Sequence, residues 1–156
     1  YHYTGLHHDK NGFPTEEINT CRKLIQRLED KVEAHKDEIE LNDEFMIDDL
    51  TGADNEVLII AYGSVSLAAK EAIRDLRKEG TKVGLFRPIT LWPSPDKRIK
   101  ELTDMIKNVL IVELNIGQYT AEIERVSSRL DFETLYKVNG RAISPHEIIA
   151  KVKEVF

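Results

Sequence analysis

Two rhythms divide the chain. Ile18, Cys21, Ile25, Leu28, Val32, His35 and Ile39 recur at alternating spacings of three and four, while Lys, Arg, Glu and Asp fill the other faces. That spacing predicts one long amphipathic helix running to about Leu41. No Gly or Pro interrupts it, Thr15 offers an N-cap, and Glu16 and Glu17 put negative charge where the helix dipole favours it. Cys21 and His35 in the stripe, and only about three heptads of length, argue against a self-sufficient coiled coil. The stripe therefore packs on its own domain or on another chain. Ahead of it, residues 1–15 read as loop, with a turn at Asn11-Gly12.

The second rhythm is one of short apolar runs alternating with amphipathic stretches. Phe45-Met46-Ile47 is a short run flanked by acids, and Val57 to Tyr62 is nearly continuous, as in a strand buried on both faces. Gly63-Ser64 ends that run, and Ser64 or Ser66 can cap a helix carrying Ala72, Ile73 and Leu76 that stops at Gly80. Strands follow at 82–86, 109–112 and 134–138. Between and after them come three more helices: one with Ser94 and Pro95 at its start, one over Tyr119 to Leu130, and one opened by Ser144-Pro145 with Glu147 completing a capping box. This alternation predicts a three-layer α/β/α, doubly wound domain with a mostly parallel sheet and right-handed crossovers. The expected division is a linker and long helix over 1–43, then the α/β domain over 44–156.

Composition narrows the functions open to such a domain. The chain has 156 residues, 41% of them hydrophobic and 32% charged, which suits one ordinary globular domain. A net charge of −6 speaks against nucleic-acid binding, and no apolar run approaches the roughly 20 residues of a membrane span. One cysteine excludes a disulfide framework, a Cys-rich zinc site and an iron–sulfur centre ligated by this chain, and fits a cytoplasmic setting. The chain begins at Tyr1 rather than methionine and carries no signal-peptide pattern, so a fragment of a longer protein is expected.

Ligands and partners of a doubly wound sheet meet the loops past the carboxyl ends of the strands. Here those loops hold Gly63 and Ser64; Arg87 to Thr90; Glu113, Asn115, Gly117 and Gln118; and Gly140 and Arg141. Gly63-Ser64 is either an anion site or a tight turn before a helix, without the Gly-x-Gly-x-x-Gly or Walker lysine that would favour the former. Glu113 is either a base or cation ligand, or a structural acceptor for backbone N–H groups or Arg141. Gly117 is expected at positive φ. Arg141 can clamp a carboxylate or phosphate, or make an ion pair or subunit contact. His7-His8-Asp9 makes a poor metal site, being adjacent loop residues without a supporting cluster. No Gly-x-Ser-x-Gly elbow is present, so no catalytic or metal-ligating residue is assigned.

Several motifs occur together in a suggestive order. They are Thr4-Gly5-Leu6-His7-His8-Asp9-Lys10-Asn11-Gly12, Ala61-Tyr62-Gly63-Ser64, Leu91-Trp92-Pro93-Ser94-Pro95, Val112-Glu113-Leu114-Asn115-Ile116-Gly117-Gln118, and Gly140-Arg141-Ala142-Ile143-Ser144-Pro145-His146-Glu147-Ile148. In sequence and spacing they resemble the C-terminal region of the α subunits of 2-oxoacid:ferredoxin oxidoreductases, most of all the 2-oxoglutarate type. His7 departs from the usual Glu, Ala142 from the Pro that often follows Gly-Arg, and Trp92-Pro93-Ser94 from a Pro-Phe-Pro character. The resemblance implies a transketolase C-terminal-like domain, with five strands in the order 1-3-2-4-5 and the first antiparallel. The 45–47 run would be that first strand, and the switch point would bring Gly63-Ser64 beside Glu113 and Asn115.

The whole enzymes of that family oxidatively decarboxylate 2-oxoacids with thiamine diphosphate, Mg²⁺, iron–sulfur centres and coenzyme A, and pass electrons to ferredoxin. This chain lacks the Gly-Asp-Gly segment for the diphosphate and the cysteines for iron–sulfur ligation. The resemblance thus implies a structural domain that binds no cofactor alone and docks on the rest of the α subunit and on the β subunit. The other readings are an autonomous small-anion-binding α/β module, and the equivalent domain of a transketolase or an oxoacid dehydrogenase β subunit.

Overall fold

The computed structural model describes residues 5–156. The chain forms two compact units, one ending at Ile39 and the other spanning Glu40–Phe156.

In the first unit, strands β1 (His7–His8) and β2 (Pro14–Thr15) pair antiparallel, with His7 opposite Thr15. The Asp9 carboxylate accepts the N–H groups of Asn11 and Phe13 at 2.8 and 3.0 Å and so closes the turn between the strands. Helix α1 (Ile18–Ala34) follows. Its N-cap is Glu17 rather than Thr15: the Glu17 carboxylate accepts from Asn19 N–H and Thr20 N–H, while Thr15 Oγ1 accepts from Glu17 N–H. The predicted unbroken helix to Leu41 stops at His35 (φ −116°, ψ 16°), and a short turn of helix, α2 (Lys36–Ile39), resumes after it. His35 bonds through its ring to the Glu38 carboxylate at 3.2 Å, a local contact that neither Gly nor Pro announces. No residue of α1 is buried, and Ile18, Ile25 and Leu28 of the stripe are exposed.

The second unit contains β3 (Asn42–Phe45), β4 (Glu56–Ala61), α3 (Val65–Lys78), β5 (Lys82–Pro88), α4 (Asp96–Met105), β6 (Asn108–Glu113), α5 (Gln118–Val126), β7 (Glu133–Tyr136) and α6 (Pro145–Val155). The strands lie in the order β3-β5-β4-β6-β7, with β3 antiparallel and the others parallel. This is the 1-3-2-4-5 arrangement implied by the resemblance. Alternate residues of the central strands feed two apolar layers. Ile59, Leu85 and Leu110 pack with Ile73 and Leu76 of α3 and Ile148 and Val152 of α6. Leu58, Ile60, Phe86 and Ile111 pack with Ile99 and Leu102 of α4 and Ile123 of α5. Burying each of these large side chains contributes roughly 1.5–3 kcal/mol, so the paired layers fix the sheet and hence the loops at its carboxyl end.

The first strand of the sheet occupies 42–45 rather than 45–47. Met46 ends it at φ 54°, and Ile47 then turns into the core. This crossing needs Gly84 beneath it, because a Cβ there would sit 2.6 Å from the Met46 carbonyl oxygen and 2.9 Å from the Ile47 side chain. The edge strand itself is polar. Asp43 pairs with Lys70 at 2.6 Å and Glu44 with Arg98 at 2.6 and 2.9 Å, charges that discourage a foreign strand from adding there.

Other caps also differ from expectation. Ser64 makes no side-chain cap bond, and Ser66 Oγ donates to the Gly63 carbonyl at 2.7 Å. Pro95 caps α4, because Ser94 is buried against the Tyr119 hydroxyl at 3.1 Å. Helix α5 ends at Val126, before Leu130, and β7 ends at Tyr136, before Val138. The Ser144–Glu147 capping box is formed as expected.

Candidate functional site

The order of strands places the switch point between β4 and β5 on one side and β6 on the other, so the chain leaves β4 and β6 toward opposite faces of the sheet. A depression of about 280 Å³ opens there, lined by Tyr62, Gly63, Ser64, Glu113, Asn115 and Gln118. A second, of about 590 Å³, adjoins it and shares Leu114, Asn115 and Gln118; its far wall carries Val138, Gly140 and Arg141. Seven of the eight sequence candidates therefore line two neighbouring depressions at the carboxyl end of the sheet, and the eighth, Gly117, lies in the loop between Asn115 and Gln118.

Glu113 governs the first. It ends β6, is 1% exposed, and makes only acceptor contacts. One carboxylate oxygen accepts Tyr62 O–H at 3.0 Å and Tyr119 N–H at 2.9 Å; the other accepts Thr120 N–H at 2.8 Å and the Thr120 hydroxyl at 2.6 Å. Asn115 Oδ1 accepts Gly117 N–H at 2.7 Å and Gln118 N–H at 2.9 Å. Four successive N–H groups at the start of α5 are thus satisfied by two side chains from the preceding loop. Those groups are the ones that would otherwise hold an anion at a helix N-terminus.

The network extends further. Asn115 Nδ2 donates to the Tyr62 hydroxyl at 2.7 Å, and the Tyr136 hydroxyl donates to Thr120 Oγ1 at 2.8 Å. Tyr62 and Tyr119 meet edge to face with centroids 5.4 Å apart. Gly117 makes the loop possible: it sits at φ 95°, and a Cβ there would lie 2.7 Å from the Tyr136 hydroxyl.

Electrostatics follow from these contacts. Burial alone would raise the Glu113 carboxyl, but hydrogen bonds from Thr120 and the Tyr119 N–H outweigh it and hold it below its ordinary value. Burial, aided by the neighbouring Glu113 charge, pushes Tyr62 up to about 12. Glu113 is therefore an ionised structural acceptor without a free lone pair aimed at a substrate, which makes it a poor general base.

A second buried carboxylate at the opposite end of the sheet behaves alike. Burial would raise Glu56, yet Thr51 N–H, Gly52 N–H, the Thr51 hydroxyl and the Lys82 ammonium bring it to about 2. Both folded values lie below the ordinary glutamate value, so their stabilisation is fully present above about pH 4.5 and is lost as pH falls through the folded values. Acid unfolding followed by circular dichroism is expected to show a chain at full stability above pH 5 that weakens progressively from pH 4.5 toward about 2. Stability that stayed constant down to pH 2 would refute this role for the two carboxylates.

Arg141 does not pair with Glu113. Its backbone N–H is held by Asn139 Oδ1 at 3.1 Å, and its exposed guanidinium makes no hydrogen bond or ion pair among the described residues. Lys137 beside it is committed to Glu147 at 2.7 Å and to the Ala142 carbonyl at 2.9 Å. Ile116, 78% exposed, and Val138, 67% exposed, line the second depression and Leu114 lines both, while Trp92 and Ile89 stand exposed in the loop after β5 and Leu67 on α3. Sequence reasoning missed Tyr62, Tyr119, Thr120, Tyr136 and Ser94. Their one shared signal was a hydroxyl at a strand end or on an otherwise apolar helix face.

The antiparallel edge strand, the strand order and the position of the switch point define an open α/β domain of the transketolase C-terminal kind. A solved split-gene transketolase shares this fold, with a TM-score of 0.54 and 20% identity over 66% of this chain and 39% of that one. Residues 55–148, more than half of the chain, match the model of the pyruvate:ferredoxin oxidoreductase core domain II family, and the chain belongs to that family. It is 36% identical over 94% of its length to the 2-oxoglutarate synthase subunit KorA of Methanocaldococcus jannaschii, and 34% identical over 82% to the ketoisovalerate oxidoreductase subunit VorB of Methanothermobacter marburgensis. The solved 2-oxoglutarate:ferredoxin oxidoreductase from Magnetococcus marinus, determined with 2-oxoglutarate, coenzyme A and succinyl-CoA bound, aligns over 97% of the chain with a TM-score of 0.76 and 27% identity. The chain spans 38% of the M. jannaschii subunit, 35% of the M. marburgensis subunit and 26% of the M. marinus chain.

The residues of the switch point do not fit thiamine diphosphate or its Mg²⁺. The N–H groups that would bind a diphosphate already serve Glu113 and Asn115. No group of three His, Cys, Asp or Glu side chains among the described residues is arranged to hold a metal ion. Cys21, half-buried on α1, is the sole cysteine, too few for an iron–sulfur cluster. No helix among the described residues is long and apolar enough to cross a membrane.

Proposed function

We propose that this chain is a docking domain of the α subunit of a 2-oxoacid:ferredoxin oxidoreductase, of the 2-oxoglutarate type, and that its carboxyl-end loops bind the rest of that enzyme. In this reading the complete enzyme converts a 2-oxoacid to an acyl-CoA with thiamine diphosphate, iron–sulfur centres and ferredoxin, while this domain supplies shape and not chemistry. The observation that carries the reading is the contrast at the switch point. Glu113, Asn115 and the N–H groups they hold are spent on one another, and the depression beside them presents Ile116 and Val138, both exposed, next to Arg141. Exposed apolar side chains with an adjacent arginine are the composition of an interface core. Gly63, Ser64, Gln118 and Gly140 belong to the same contact surface.

The test is to place Asp at position 116 in the complete subunit. Ile116→Asp is expected to weaken assembly with the partner subunit by about tenfold or more, seen by size-exclusion chromatography with light scattering. The same change in the isolated 156-residue chain is expected to shift unfolding by less than about 0.5 kcal/mol, because the side chain is exposed. Unchanged assembly would refute the docking role.

A further inference from the structure

The turn between β1 and β2 and one face of α1 enclose a cleft of about 840 Å³ within the N-terminal unit. The helix wall is Thr20, Lys23, Leu24 and Arg27, which are spaced i, i+3, i+4 and i+7 and so share a face. The turn contributes His8, Asp9, Lys10 and Asn11. Three permanent cations thus face one void, in a chain whose net charge is −6. The one acid among the lining residues, Asp9, spends its carboxylate on Asn11 N–H and Phe13 N–H, which hold it ionised as the brace of the turn.

The cations themselves are uncommitted. Lys10, Lys23 and Arg27 make no hydrogen bond or ion pair among the described residues. Comparable side chains in the second unit are paired: Arg77 with Asp49, Arg98 with Glu44, and Lys70 with Asp43. Lys23 and Arg27 also stand one helical turn apart, where like charges disfavour the helix. Convergent charge that does nothing for its own fold points to a ligand.

We propose that this cleft binds a chain of linked phosphates carried by a small molecule. Linked phosphates place several charges and many acceptor oxygens along a few ångströms. Arg27 can take one phosphate with two parallel N–H donors, Lys10 and Lys23 can neutralise its neighbours, and Thr20 and Asn11 supply neutral donors. A single carboxylate would leave two of the three cations unused. The cleft falls within the roughly 300–1,000 Å³ usual for small-molecule sites, and Leu24 gives it an apolar patch. The site lies wholly in the first unit, so its success or failure is independent of docking through the carboxyl-end loops.

The 156-residue chain is titrated with inorganic tripolyphosphate and, separately, with adenosine triphosphate, following backbone amide resonances at low salt. Both probes are expected to give saturable shifts confined to the β1–β2 turn and α1. The double change K23Q/R27Q is expected to weaken binding by about tenfold or more, R27K to retain most of it, and K97Q, an exposed change on α4, to change nothing. All three positions are exposed, so these variants should fold, which circular dichroism checks. Tighter binding of adenosine triphosphate would show that the organic part seats as well; equal binding would show that the phosphates alone are read. Absence of saturable shifts with both probes, shifts spread over all surface lysines, or undiminished binding by K23Q/R27Q would overturn the proposal.

Discussion

Replacing Glu113 with Gln is expected to destabilise the 156-residue chain by about 1–3 kcal/mol, and replacing it with Ala by about 3 kcal/mol or more. Glu113 only accepts, from Tyr62 O–H, Tyr119 N–H, Thr120 N–H and Thr120 O–H. A glutamine amide turns one of those acceptor positions into a donor. The two hydroxyls can rotate away, but the backbone N–H groups cannot, so one of them is left buried without a partner. Alanine abandons all four donors. In urea the midpoint should fall by roughly 1 M for a loss of about 2 kcal/mol, with the slope unchanged. A Gln variant as stable as the parent would mean that the carboxylate charge is not needed for the fold. It would also return Glu113 to candidacy as a reactive group.

Gly117→Ala is expected to cost about 2–4 kcal/mol, an unusually large effect for a loop glycine. Two causes add. An L-residue at φ 95° is strained, and the new methyl would lie 2.7 Å from the Tyr136 hydroxyl and 2.8 Å from the ring carbon that bears it. The ring cannot retreat without loosening its hydrogen bond to Thr120, and with it the Glu113 network. A double-mutant cycle separates the causes: in a Tyr136→Leu background the steric part should vanish, leaving only about 1–2 kcal/mol of backbone strain. An equal cost in both backgrounds would show that Tyr136 does not confine the loop.

These effects also show what sequence could reveal. Strand β4 and the Ser144–Glu147 box were legible because each is written in consecutive or near-consecutive residues: a six-residue apolar run, and a Ser-x-x-Glu. The strand order was legible only through the resemblance, since local patterning does not encode which strands are neighbours. Strand β3 was placed too late because an edge strand of Asn42-Asp43-Glu44-Phe45 reads as loop, and the apolar Met46-Ile47 that drew the eye belongs to the turn after it. The break at His35 had no breaker residue to mark it. The Glu113 site was half legible. A carboxylate at a strand end was an evident candidate, and acceptance of backbone N–H groups was one of its readings. Its partner Tyr62 lies 51 residues away and meets it only once β4 and β6 are side by side. Tyr136 is likewise brought in by β6–β7 pairing, where it stands opposite Glu113.

Under the proposed docking role, the Glu113 network explains why this surface resembles a ligand site. A helix N-terminus at a topological switch point is the usual place for a phosphate. Here the chain's own Glu113 and Asn115 occupy it, which rigidifies the loop and presents Leu114 and Ile116 outward. Arg141 is then the one side chain in the neighbouring depression whose charge is open to a partner, among the described residues.

Arg141→Ala in the complete subunit, assembled with its partner and assayed for 2-oxoacid-dependent ferredoxin reduction, tests this account most directly, with turnover expressed per assembled complex. The account predicts weaker assembly and, in the fraction that assembles, turnover equal to the parent's. Undiminished assembly with turnover reduced about tenfold or more would contradict it, because the arginine would then act on the reaction itself.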